Sequence, residues 1–214
     1  MPSIISIISS SKTGKTTLIE KLIKELKSRG YRVATVKHAP EVENLDEPGK
    51  DSWRHIQAGS EATVVSSHDK MMLIKPLGSD MNLEKIARVF GEDYDIILAE
   101  GFKQDGAPKI EVHRKEVAPP LKDIKKLIAY ATDEPLETET RQFSLDDVKG
   151  LADLIEEGFI KPNDERLSLY VNDKPVTLSV FPGQIVTNVL KAMASSLKGV
   201  GEPKSITVFW KKQE

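Results

Sequence analysis

Hydroxyl side chains, two lysines and a glycine stand within one short stretch, Ser10-Ser11-Lys12-Thr13-Gly14-Lys15-Thr16-Thr17, directly after the apolar run Ile4–Ile8. Gly-Lys-Thr at the junction of a buried strand and a helix is an arrangement that holds phosphate. Backbone N–H groups of the loop and helix N-terminus converge on the oxygens, and the helix dipole favours their charge. Lys15 is placed to reach the β- and γ-phosphates, and the Thr16 hydroxyl to ligate Mg²⁺. The general pattern, G-x-x-x-x-G-K-[ST], has glycine where this chain has Ser9. Serine serves there unless the position needs positive φ or a missing Cβ. The tripeptide alone arises by chance in roughly one 200-residue chain in ten. The flanking strand and helix therefore carry the assignment against a ligand-free, serine-rich loop. Lys15 is expected to be exposed in the loop, with phosphate as its one partner.

A second set of candidates lies where other strands end, the edge at which open α/β sheets take ligands. Glu100 follows the expected buried strand Asp95–Ala99, and a carboxylate there can hold Mg²⁺ directly or through water. Its bland reading is a capping or solvated carboxylate. Gly101 lets the backbone approach the γ-phosphate. Asp51 reads equally as a second carboxylate for metal or water and, with Ser52, as a cap on a helix beginning at Trp53. Lys37 and His38 close another strand, His38 reading equally as a structural hydrogen-bonding residue. The four histidines (38, 55, 68, 113) show no metal-ligand spacing, and with no cysteine in the chain thiolate sites and disulfides are excluded.

The elements that must position these residues follow from periodicity. Residues 15–29 place Leu18, Leu22, Ile23 and Leu26 on one helical face, with Gly30 as the stop. Tyr31–Val36 is the next strand, completing a βαβ unit and implying a parallel sheet. Strands are expected at Glu61–Ser66, Met71–Ile74, Asp95–Ala99, Lys109–His113 and Leu127–Ala131, and helices at Leu83–Phe90 and Leu145–Glu157. The fold class is α/β, a three-layer P-loop fold with a mostly parallel sheet over residues 1–160. A boundary falls at Gly158–Arg166, and residues 165–214 form a small ββαβ extension. In it Leu167–Val171 and Val176–Val180 make a hairpin about Asn172–Pro175, Pro182-Gly183 opens a helix, and Ile206, Val208 and Trp210 finish as a strand.

The 31 basic and 33 acidic residues among 214 balance to a net charge of −2. That balance does not point to nucleic acid or an anionic membrane as partner. Apolar runs of about six residues are far short of the roughly 20 that span a bilayer. With no secretory signal visible at the N-terminus, the chain reads as cytoplasmic.

Further stretches carry a resemblance. Val33-Ala-Thr-Val-Lys-His-Ala39, then Asp46-Glu-Pro-Gly-Lys-Asp-Ser-Trp-Arg54 with Ala58-Gly59, and Tyr94-Asp-Ile-Ile-Leu-Ala-Glu-Gly-Phe-Lys103 stand beside the phosphate loop. Together they resemble the molybdopterin-guanine dinucleotide biosynthesis adaptor protein B (MobB) family over roughly residues 3–157. The family's first loop position is variable, which accommodates Ser9. The resemblance implies GTP with Mg²⁺, slow hydrolysis and a homodimer. It also implies an adaptor role beside the guanylyltransferase that joins GMP to molybdopterin, with molybdopterin a candidate second ligand. A slow rate agrees with the absence of an obvious arginine finger or positioned glutamine in the sequence. The rival reading is a kinase-type enzyme passing the γ-phosphate to a small molecule. Lys103 reads as a contact to phosphate or pterin, or as an exposed lysine. No Asn-Lys-x-Asp occurs, but Asp133, after the strand ending at Ala131, stands where that motif would lie. It reads as the acceptor for guanine N1–H and the 2-amino group, or as a strand-end turn residue.

The extension holds no histidine, paired carboxylates or phosphate loop, so no catalysis is expected there. Phe181, Phe209 and Trp210 read as contacts to a second subunit or the transferase, or equally as a cap on the main domain.

Overall fold

A computed structural model describes residues 1–40, 45–77, 82–161, 167–172, 174–176 and 178–212. The chain divides into two compact units, Pro2–Asn163 and Asp164–Glu214 with Met1. Residues 162–166 of the expected boundary segment lie outside the described residues.

The larger unit is built on a six-stranded sheet. In chain order its elements are β1 (Ser3–Ile8), α1 (Lys15–Ser28), β2 (Val33–Lys37), α2 (Asp51–Gln57), β3 (Thr63–Ser66), β4 (Met71–Ile74), α3 (Leu83–Ala87), β5 (Ile96–Glu100), β6 (Lys109–His113), β7 (Leu127–Thr132), β8 (Arg141–Ser144) and α4 (Val148–Ile155). The sheet runs β2-β5-β1-β6-β7-β8, and every pairing in it is parallel. All six strands therefore end on one edge, and the phosphate loop leaves that edge from β1. Strands β3 and β4 pair as a separate antiparallel hairpin.

One face of the sheet carries the apolar core. Ile5 and Ile7 of β1, Ile96 and Leu98 of β5, Ile110 and Val112 of β6, and Ala129 and Ala131 of β7 pack with Leu18, Leu22 and Leu26 of α1 and Leu151 and Ile155 of α4. Strand alternation sends Ser6, Lys109, Glu111 and His113 to the other face, and all four are buried. Lys109 is fully enclosed, and its ammonium donates to the carbonyls of Asp105 and Ala107.

Helix α1 stops as its sequence dictates. Gly30 takes φ +93, and the N–H groups of Gly30 and Tyr31 bond the carbonyls of Lys27 and Leu26. The C-cap Arg29 ties α1 to α4 by donating to Glu156 at 2.7 Å and Asp153 at 2.6 Å, and the Tyr31 hydroxyl and the Lys161 ammonium also reach Glu156. These donors, Arg29 foremost, hold the Glu156 carboxyl at about 2, against 4.5 for a free glutamate. The unfolded chain therefore binds more protons than the folded one in that interval. The stabilisation is present above pH 4.5 and is lost as pH falls through about 2. Glu156→Gln is expected to lower the melting temperature at pH 7 and to flatten its decline between pH 5 and pH 2, read by thermal denaturation across pH. A mutant declining as steeply as the parent would place the acid sensitivity elsewhere.

The second unit holds a short hairpin, β9 (Leu169–Val171) with β10 (Lys174–Val176), and helix α5 (Val180–Ser195). The helix begins two residues before Pro182-Gly183, with Ser179 at its N-cap, since proline is tolerated within the first turn. The expected closing strand at Ile206–Trp210 is not formed. Alternation assigns a face but supplies no hydrogen-bonding edge, and Val208, Phe209 and Trp210 stand exposed.

Candidate phosphate and nucleoside site

The loop answers the question raised by Ser9. Positive φ falls on Lys12 (64°) and Gly14 (95°), not on Ser9. Ser9 is buried and its hydroxyl accepts from the Lys15 ammonium at 2.7 Å while donating to the Ser10 carbonyl. Serine at this position is thus a partner of the lysine. Lys15 differs from its expected exposure in consequence. It is half-buried, folded onto Ser9 Oγ and the Ser10 carbonyl. Burial lowers its pKa, Lys103 and Lys37 adding to the effect and Glu100 opposing it.

Thr13 is buried and Gly14 forms the left-handed N-cap of α1. Leu18 makes the first helical bond, to the Gly14 carbonyl, so the amides of Lys15, Thr16 and Thr17 stand free at the helix mouth as helix geometry requires. Ser10 is half-buried, and Ser11, Lys12, Thr16 and Thr17 are exposed around the opening.

On one side of the loop stands Glu100, the last residue of β5. Its Oε1 accepts from Thr16 Oγ1 at 3.2 Å and lies 3.9 Å from the Lys37 ammonium. Two hard oxygen donors meeting at a phosphate loop fit Mg²⁺, which takes its other ligands from phosphate and water. Among the described residues no three His, Asp or Glu side chains cluster as a self-sufficient metal site. Gly101 has φ +95, and a Cβ there would stand 3.3 Å from His38 Cβ. Phe102 also takes positive φ (57°), strained for an aromatic residue, and its ring lies 4.9 Å from that of His38. Lys37, His38 and Lys103 are exposed along this edge.

Asp51 does not join this group. It is 89% exposed, and its ion pair is with Arg54 at 3.7 Å. The capping alternative fails too: α2 begins at Asp51, with Lys50 as N-cap, and the Ser52 hydroxyl bonds Asp46.

On the other side of the loop a cavity of about 400 Å³ crosses the ends of β6, β7 and β8. Thr13, Gly14, Thr17 and Lys21 line it from the loop and α1, and Arg114, Asp133 and Asp146 from the strand ends. Asp133 Oδ1 accepts the Lys115 N–H at 2.9 Å, and its Oδ2 lies 3.8 Å from the Arg114 guanidinium. Lys21 pairs with Asp146 at 2.8 Å. Arg114, Lys21 and Asp146 are additions to the sequence-derived set. Arg114 follows a correctly read strand, so the edge rule that selected Lys37 could have found it. Asp146 follows β8, a strand not read from the sequence.

A parallel sheet with a Gly-Lys-Thr loop entering a helix from an interior strand, flanked by a Thr–carboxylate pair, defines a P-loop NTPase-like fold. The chain belongs to the molybdopterin guanine dinucleotide synthesis protein B (MobB) family, whose sequence model matches residues 4–133. It is similar to the molybdopterin-guanine dinucleotide biosynthesis adapter protein of Haemophilus influenzae, 37% identical over 155 residues, covering 72% of this chain and 87% of that protein. The Escherichia coli protein of the same name is 36% identical over 159 residues, covering 72% and 91%. A crystal structure of molybdopterin-guanine biosynthesis protein B superposes with a TM-score of 0.59 at 29% identity, covering 72% of this chain and 98% of that one. The resemblance carried by the sequence motifs is thereby borne out.

Proposed function

We propose that the protein binds GTP with Mg²⁺ and acts as an adaptor in molybdenum cofactor biosynthesis, assisting a guanylyltransferase that joins GMP to molybdopterin. The observation that carries this reading is the two-sided phosphate loop: a Thr–carboxylate pair on one flank and a cavity of about 400 Å³ lined in part by Asp133 on the other. Lys15 would hold the β- and γ-phosphates, and the amides of Gly14 to Thr17 the rest of the chain. Thr16 and Glu100 would hold Mg²⁺, which would neutralise charge between those phosphates. Hydrolysis would be slow, and the nucleotidyl transfer itself would belong to the partner. Lys37, His38 and Lys103, exposed along the Glu100 edge, would stand nearest the γ-phosphate and are the candidates for a second ligand such as molybdopterin. A homodimer in the cytoplasm completes the reading. It is supported by the apolar side chains Val64, Met71, Met72 and Leu73 exposed on the β3–β4 hairpin. No helix of the described residues is long and apolar enough to cross a membrane.

Incubation with GTP, Mg²⁺ and molybdopterin tests the role. GMP joined to the pterin only when the transferase is added supports the adaptor; a phosphorylated pterin formed without it supports a kinase instead.

Asp133→Asn is expected to relax discrimination between GTP and ATP by about tenfold, the usual worth of one charged hydrogen bond. The amide oxygen can still accept the Lys115 N–H, so phosphate contacts and fold should persist. Competition binding of the two nucleotides gives the result, and an unchanged preference would move base reading away from Asp133.

A further inference from the structure

The Arg114 side chain leaves β6 between the phosphate loop and the cavity. Its Nε donates to the Thr13 carbonyl at 2.9 Å, which fixes both the guanidinium and the carbonyl that precedes Gly14. Nη1 lies 3.8 Å from Asp133 Oδ2, beyond hydrogen-bond distance. Among the described residues neither terminal nitrogen makes a hydrogen bond, and the side chain remains 44% exposed on the cavity wall. The guanidinium is therefore anchored at Nε, stands beside Gly14 and Asp133, and keeps part of its surface open to the cavity.

The strand order sets the width of the space it faces. β6 and β8 flank β7, so at about 4.8 Å per strand their ends stand roughly 10 Å apart. That gap admits one flat ring system between a side chain on each wall. Arg114 supplies one wall, Leu145 and Asp146 after β8 the other, and Asp133 at the end of β7 lies between them. A guanidinium is planar and weakly hydrated, and it stacks on aromatic faces as a lysine ammonium does not.

We propose that Arg114 is a nucleobase clamp, its Nε bracing the phosphate loop through Thr13 while its guanidinium plane covers one face of a purine seated in the cavity. This rests on the reading of the cavity as the nucleoside side of the phosphate loop.

The test compares GTP with inorganic tripolyphosphate, which offers the phosphates without a base, on the full chain and on Arg114→Ala, Arg114→Lys and Lys15→Ala. GTP affinity is read by calorimetry, and tripolyphosphate by the rise in melting temperature it gives at millimolar concentration. Arg114→Ala is expected to weaken GTP by about tenfold while lowering the tripolyphosphate response far less, by the share that the brace on Thr13 supplies. Arg114→Lys can restore a donor to the Thr13 carbonyl but not the plane, so its GTP affinity should stay low. Equal weakening of both ligands would reduce Arg114 to a loop brace and overturn the clamp, as would unchanged GTP affinity in Arg114→Ala. Unchanged GTP affinity in Lys15→Ala would instead remove the phosphates from this loop, a failure of the underlying reading.

Discussion

Replacing Lys15 with alanine is expected to weaken GTP binding by about a hundredfold or more, roughly 3 kcal/mol, the cost of leaving charged phosphate oxygens without a charge-assisted donor. The fold should survive. The ammonium is partly buried against Ser9 and Ser10, but after its removal the Ser9 hydroxyl still donates to the Ser10 carbonyl, so no buried polar group is orphaned. Calorimetric titration alongside thermal denaturation separates the two effects: affinity should collapse while the melting temperature moves little. The same lysine gives a pH dependence. Burial, with Lys103 and Lys37 nearby, lowers its pKa below 10.5. As pH rises, the ammonium loses its proton earlier than an ordinary lysine would, and GTP affinity should decline on the alkaline side accordingly. Affinity independent of pH up to 10.5 would contradict the placement of Lys15 on phosphate.

Lys109 governs the second large effect, on stability. It is fully buried on β6, its ammonium satisfied by the carbonyls of Asp105 and Ala107. Burial lowers its pKa, with Asp105 opposing and Lys126 adding to the shift. Lys109→Met keeps the apolar stem and removes the donor to two carbonyls, which should cost about 2 kcal/mol. Lys109→Ala adds a cavity in a packed interior and should cost about 4 kcal/mol. Because Asp105 and Ala107 belong to the loop that carries Gly101 and Lys103, both variants should also loosen the edge beside Glu100. Urea denaturation measures the stability term. A Lys109→Met variant within about 0.5 kcal/mol of the parent, the range of ordinary surface substitutions, would show that the buried ammonium contributes nothing net.

Much of the fold was legible because its signals are local. Ile4–Ile8, the 15–29 periodicity and Gly30 specify strand, helix and stop from spacing alone, and β1, α1 and β2 stand within two residues of those expectations. β4 and β6 match residue for residue. The helix expected over Leu145–Glu157 shortens to Val148–Ile155 and widens into a π-turn through Ile160, a distinction that apolar spacing does not encode. β8 was missed because Arg141-Gln-Phe-Ser144 is an edge strand with one half-buried apolar residue, Phe143, and no run to mark it. The closing strand of the extension was expected from alternation that has no partner edge.

The sequence by itself determined the phosphate loop, the strand-end placement of Glu100, Lys37 and Asp133, and the family to which these motifs belong. Each of those depends on residues close together in the chain. Tertiary structure alone decided which of them meet. Thr16 reaches Glu100 across 84 positions, Asp51 turns instead to Arg54, and Arg114 bonds Thr13 across 101 positions. It also decided that Lys109, Glu111 and His113, polar residues on alternate positions of one strand, face inward. Alternation separates two faces of a strand but says nothing of what covers each. Here the covering loops supply partners, Asp105 and Ala107 to Lys109 and the Leu121 amide to Oε1 of Glu111. A buried charge is tolerable only where such partners arrive, and at Glu111, whose Oε2 has none among the described residues, burial pushes the carboxyl pKa up.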